Sequence, residues 1–258
     1  MTIEEKLGRA KYDLEYMHTI GYEKGQSDGY AEGVEAGMDA EWNEFWGVFQ
    51  QKGARLNYEY AFAYGWDDDS FRPKYDIRPT HAANMFKGSK ITDLKALLDE
   101  RGITLDTSQT ENNISYMFSE SSITVVPAID LSGATLDNFQ TSGVFGWANA
   151  LHTIDKLILK DDGSTVIHPN WFISSANIAN ITIEGLIGMS ISFLWSVALT
   201  PTSMKNIINH LVDYSGTDKA NAYKLTFAET CWLRLEADST APDGGTWREY
   251  VRSKGWNV

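Results

Sequence analysis

The chain has 258 residues, with 22 Lys and Arg against 35 Asp and Glu, a formal charge of −13. Apolar residues make up 43% and aromatic residues 12%, a globular composition that excludes a disordered chain. The acidity excludes the clustered cations of a nucleic-acid binder and disfavours an anionic membrane surface, while the single cysteine, Cys231, excludes an internal disulfide framework and a multi-cysteine zinc site.

Residues 1–20 predict a helix: Thr2 can cap it, Glu4 and Glu5 suit its positive end, and Leu7, Leu14 and Met17 repeat at roughly helical spacing. This opening has no apolar h-region, so the chain is expected to be made in the cytoplasm without a secretory signal. The longest apolar stretch, ITIEGLIGMSISFLWSVALT, is broken by Glu184, two glycines and several hydroxyl residues, and predicts no membrane insertion.

Glycine then recurs every fourth residue, at Gly21, Gly25, Gly29, Gly33 and Gly37. Each would cost an isolated helix about 1 kcal/mol relative to Ala. Glycines four apart lie on nearly one face and let another backbone approach, the small-xxx-small geometry of close helix crossing. Residues 1–40 are therefore expected to form a helix that packs on a copy of itself, making a homo-oligomer, or on another helix; the alternative is a flexible glycine-spaced linker. Trp42, Phe45, Trp46 and Phe49 follow i, i+3, i+4, i+7, an amphipathic helix face in an aromatic connector over 41–78. Asp67, Asp68 and Asp69 do not match a calcium loop and predict a solvated turn. Pro73 and Pro79 place a boundary near residue 78.

The middle of the chain repeats. Met85-Phe86, Met117-Phe118, Val144-Phe145 and Trp171-Phe172 recur at spacings of 32, 27 and 27. Aliphatics follow each Phe at nearly fixed offsets: Ile91, Leu94 and Leu97; Ile123, Val126 and Ile129; Leu151, Ile154 and Leu157; then Ile178, Ile181 and Ile183. This period predicts a leucine-rich type of solenoid over 79–200, with one short strand per unit and the Phe residues stacked inside. DLKALLDERG predicts a helix ending at Gly102.

The segment LDTSQTENNISYMFSESSITVVPAIDLSGATLDNFQTSGVF resembles the BspA-like branch of bacterial leucine-rich repeats. The matching residues are Leu105, Asp106, Thr107, Ser108, Met117 and Phe118, then Ile129, Asp130, Leu131, Ser132 and Phe145. It departs from that branch in lacking a small Cys or Gly after the Phe and in its uneven period. The whole layout is similar to repeat proteins of gut-type bacteria and their prophages, in which a glycine-laddered helix precedes the repeats and a Trp-containing tail such as GGTWREYVRSKGW ends the chain. The resemblance implies a surface or virion-associated interaction protein, not an enzyme.

Residues 201–258 read as an α/β cap. Thr200 with Pro201 opens a helix whose stripe is Met204, Ile207, Ile208, Leu211 and Val212. YKLTF alternates as a strand, ETCWLRLEA predicts a short helix, and Thr246 caps a last one. Among His18, His81, His152, His168 and His210 no pair has metal spacing, and no nucleophile elbow, Walker or dinucleotide pattern occurs. Neither metal nor cofactor is expected, and Cys231, in an apolar run, reads as buried. Asp130 and Asp161 form a weak carboxylate pair for glycoside hydrolysis.

The expected fold is thus α+β: a leucine-rich-repeat-like β-solenoid with an N-terminal α-helical segment and a C-terminal α/β cap. The expected function is non-enzymatic recognition or adhesion by a phage or prophage virion component, such as a tail or receptor-binding part. Its expected partners are itself, other virion or cell-surface proteins, and a surface polysaccharide met by Trp147, Trp171, Asn138 and Asn170. The alternatives are a structural assembly subunit and a polysaccharide hydrolase.

Overall fold

The computed structural model describes residues 52–64, 66–69, 71–136 and 141–258. The expected helices over 1–20 and 41–49 and the ladder Gly21, Gly25, Gly29, Gly33 and Gly37 lie outside the described residues. Arg55–Arg72 and Asp76–Val258 form one compact unit.

Phenylalanine spaces that unit. Phe62, Phe86, Phe118, Phe145, Phe172 and Phe193 are fully or almost fully buried. Neighbouring rings stack at 5.2, 5.4, 5.4, 5.2 and 4.5 Å between centroids, and the three central pairs are within 5° of parallel. Phe227 extends the series at 5.7 Å. Such stacks add about 0.5–1.5 kcal/mol per pair beyond area burial.

Each of Phe62, Phe86, Phe118 and Phe145 is held inward by one kind of turn. Two residues with left-handed backbone flank it, two before and two after: Tyr60 and Tyr64, Asn84 and Gly88, Tyr116 and Glu120, Gly143 and Trp147. Within the turn, the amide three residues on donates back, as from Met85 to Ala82, Lys87 to Asn84 and Ser89 to Phe86. Three after each Phe stands a small buried residue: Ser89, Ser121, Ala148, Ser175 and Ser196. Successive turns are joined by parallel backbone bonds. The amides of Phe62, Phe86, Phe118 and Phe145 donate to the carbonyls of Met85, Met117, Val144 and Trp171 at 2.8 to 2.9 Å.

Among the described residues the chain forms ten short strands: β1 (Leu56–Asn57), β2 (Pro79–His81), β3 (Glu111–Asn112), β4 (Val125–Val126), β5 (Ile129–Asp130), β6 (Thr135–Leu136), β7 (Thr153–Ile158), β8 (Asn180–Glu184), β9 (Ile191–Phe193) and β10 (Leu225–Phe227). The expected leucine-rich-repeat-like β-solenoid is corrected here. The described strands fall into four small sheets, β1–β2, β3–β6, β9–β10 and a set around β7 that pairs β4, β5 and β8, and none is closed or runs on as a solenoid. The reasons are local. Pro127 has no N–H to donate and separates β4 from β5. The register of β7 on β8 shifts between Ile154 and Leu157.

Four helices occur among the described residues: α1 (Leu94–Arg101), α2 (Pro201–Asn209), α3 (Glu229–Asp238) and α4 (Trp247–Ser253). Asp93 caps α1 at the amide of Ala96, and Gly102 ends it in left-handed conformation. Thr200 caps α2, which buries Met204, Ile207 and Ile208. The stripe outlasts the helix: Leu211 has left it to bridge Ile187. Thr246 and Glu249 form a capping box on α4. The stack also begins ahead of the boundary expected near 78, since Phe62 lies on Phe86. Among the described residues, no helix is long and apolar enough to cross a membrane.

Candidate functional site

The left-handed turns carry Tyr60, Tyr64, Glu120 and Trp147 on the surface, and side chains at equivalent places alternate between large and small. Tyr64 is followed one turn on by Gly88, and Tyr116 by Gly143. A Cβ added at Gly88 would lie 2.7 Å from Cδ1 of Tyr64, and one at Gly143 2.7 Å from Cε1 of Tyr116. Each tyrosine ring therefore lies over the glycine of the next turn. Lys87 stands beside them, 5.4 Å from the Tyr116 ring centre and 3.7 Å from the Glu120 carboxylate. Burial pushes its ammonium down, but the hydrogen bond with Tyr64 and the charge of Glu120 outweigh this and hold it above its usual value.

Further along the same face stand two tryptophans. Trp147 follows Phe145 by two residues and is 42% exposed; Trp195 follows Phe193 by two residues and is 53% exposed. Ser174 holds the equivalent place after Phe172, with φ +56°. A cleft of about 240 Å³ opens below Trp195, and His168, Pro169, Asn170, Ile173 and Ser192 complete it. His168 Nδ1 accepts from the amide of Asn170 at 3.3 Å, so the neutral ring carries its proton on Nε2. Asn170 is a clamp to the turn below: its Oδ1 accepts from the amide of Gly143 at 3.1 Å, and its Nδ2 donates to Ser142 Oγ at 2.9 Å.

The cleft sits where the backbone ladder stops. The next bonds in the series would run from the amides of Phe172 and Ser174 to residues 192–194. Among the described residues no backbone bond joins 168–174 to 190–195, and β9 pairs with β10. The chain takes 21 residues from Phe172 to Phe193, against 27 for each of the two preceding steps.

Of the residues expected to meet a ligand, Trp147 is exposed and Asn170 lines the cleft. Trp171 is corrected: it is 0% exposed, edge-on to Phe145 and Phe172 at 6.4 Å, and has no surface to offer. Asn138 lies outside the described residues. Trp195 and His168 were missed, although Phe-x-Trp at Phe145–Trp147 and Phe193–Trp195 is a signal in the sequence.

Set against family models, curated proteins and solved structures, the chain matches none of them.

The remaining chemistry is sparse. Among the described residues no group of three or more His, Cys, Asp and Glu could hold a metal ion. Asp130 Oδ1 is taken up by the amide and hydroxyl of Ser132, at 2.8 and 2.7 Å. Asp68 accepts from the amide and hydroxyl of Thr92. Cys231 is buried against the carbonyls of Ser196 and Val197, and burial pushes its thiol up.

Proposed function

We propose that this protein is a non-enzymatic recognition module that meets a cell-surface saccharide on the face carrying Trp147 and Trp195. The observation that carries the reading is a pair of half-exposed indoles at equivalent places after a stacked Phe, one of which, Trp195, lines a cleft. An indole ring offers a broad apolar surface at small conformational cost, and neutral polar groups at its edge give direction. Each contact is weak, so the proposal includes multivalency through the glycine-laddered segment, since linked sites raise avidity by about 10²–10⁴ without any new contact. The resemblance of the layout to prophage repeat proteins supports placement on a virion, in a tail or receptor-binding part.

The test is binding of full-length protein to whole bacterial cells and their extracted surface polysaccharides, with released sugar measured alongside. Saturable binding without release is expected. Sugar release would overturn the non-enzymatic reading, and no binding to any surface would overturn recognition. A second reading, a structural subunit of the same assembly, draws on exposed Leu194, Val197 and Leu233, apolar residues that a neighbouring protein could cover.

A further inference from the structure

We infer that the cleft below Trp195 is a subsite for one uncharged pyranose ring, with Trp147 as a second stacking platform on the same saccharide chain. This rests on the recognition reading above and narrows it to a place and a ligand class.

Three observations carry it. The first is the broken ladder. The turn bearing Phe172 lacks the amide bonds that every preceding turn makes to its successor, while the rings of Phe172 and Phe193 still stack at 4.5 Å. The core is continuous and only the surface parts, so the opening is a built feature of the fold.

The second is the chemistry of the lining. Trp195, Ile173 and Pro169 are apolar, His168, Ser192 and Asn170 are polar, and none of the six is an Asp, Glu, Lys or Arg. A phosphate, sulfate or uronate would find no lysine or arginine there, and the chain's charge of −13 would repel it from a distance. A cationic group would find no carboxylate. The Nε2–H of His168 and the hydroxyl of Ser192 are neutral donors, suited to the hydroxyl and ring oxygens of a sugar whose C–H face lies on the indole.

The third is register. Trp147, Ser174 and Trp195 each follow a stacked Phe by two residues; the backbone is left-handed at Trp147 and Ser174 and not at Trp195. A saccharide lying across the turns would meet one platform, pass over the small residue and meet the other.

The test uses full-length protein and surface polysaccharide extracted from cells it binds, separated into neutral and acidic fractions by anion exchange. Tryptophan fluorescence and competition for whole-cell binding are followed for wild type, Trp195→Ala, Trp195→Tyr, Trp147→Ala and the exposed control Leu233→Ala. The neutral fraction is expected to bind and compete. Trp195→Ala should weaken it by about tenfold or more, and Trp195→Tyr should restore most of the loss. Trp147→Ala should weaken long chains and leave their disaccharide fragments unaffected; Leu233→Ala should bind as wild type. Unchanged thermal unfolding of each variant separates lost binding from lost folding. The inference is overturned if only the acidic fraction binds, if protease treatment of the cells removes the ligand, or if Trp195→Ala binds as wild type. Cell binding retained in any of these cases leaves the recognition reading standing and moves it to another face. Wild type that binds no cell removes both.

Discussion

The ring of Tyr116 lies over Gly143, so close that a Cβ on that glycine would stand 2.7 Å from Cε1 of the tyrosine. Gly143 also has φ +57°, where an L side chain costs about 1–2 kcal/mol. Gly143→Ala is therefore expected to destabilise by about 2 kcal/mol or more, the backbone cost with displacement of Tyr116 added to it. Tyr116→Ala in the same background should remove the steric part and recover some of the loss. Urea unfolding of the two single variants and the double variant checks this; additive losses would refute the contact.

Phe118 lies between Phe86 and Phe145 at 5.4 Å on each side. Phe118→Ala would leave a cavity in the middle of the stack, at a cost of about 3–5 kcal/mol. Phe118→Leu should cost less, since it refills much of the volume and loses chiefly the ring stacking. Chemical denaturation followed by far-ultraviolet circular dichroism would distinguish the two.

The serines three residues after each Phe are not equivalent. Ser175 Oγ donates to the carbonyl of Phe145, whereas the buried Oγ atoms of Ser89 and Ser196 have no partner among the described residues. Ser175→Ala should lose about 1 kcal/mol, while Ser89→Ala should be neutral or stabilising because it removes a buried hydroxyl without a bond. Ala148 already stands at the corresponding place after Phe145. A shift of melting temperature in the same direction for both variants would contradict this division.

Four Asp-x-Ser corners recur at Asp106, Asp130, Asp162 and Asp213, each carboxylate accepting from the serine amide two residues on. Asp162 and Asp213 are held below the usual carboxylate range, chiefly by the hydroxyl and amide of that serine. For Asp106 burial pushes the other way, but Ser108, Arg55 and Arg78 outweigh it and the net direction is also down. A carboxylate whose value is depressed on folding stabilises the folded state above its unfolded value of about 3.9 and loses that contribution as pH falls through the depressed value. Stability should thus fall as pH drops through and below about 4, and Asp213→Asn should flatten part of that slope. Urea midpoints between neutral pH and strong acid would test it; a slope unchanged by the substitution would exclude Asp213.

Much of this was legible in the residues themselves. The Phe period, the caps of α1, α2 and α4 at Asp93, Thr200 and Thr246, and the strand at YKLTF are local signals, set by backbone sterics and by donors and acceptors a few residues apart. Burial of Phe86, Phe118, Phe145 and Phe172 follows from the same spacing. What the spacing did not determine is how the strands pair. That depends on where the ladder breaks, and among the described residues it breaks between the turn of Phe172 and β9. Nor did it separate Trp147 from Trp171. Both are tryptophans close to a rung Phe, but Trp171 precedes its Phe and turns inward, while Trp147 follows by two and lies on the left-handed corner. The direction of a side chain is set by the turn that carries it. A left-handed residue in such a turn is visible only once neighbouring backbones are in place, because for any residue but glycine that conformation is stable only when the contacts around it hold it there.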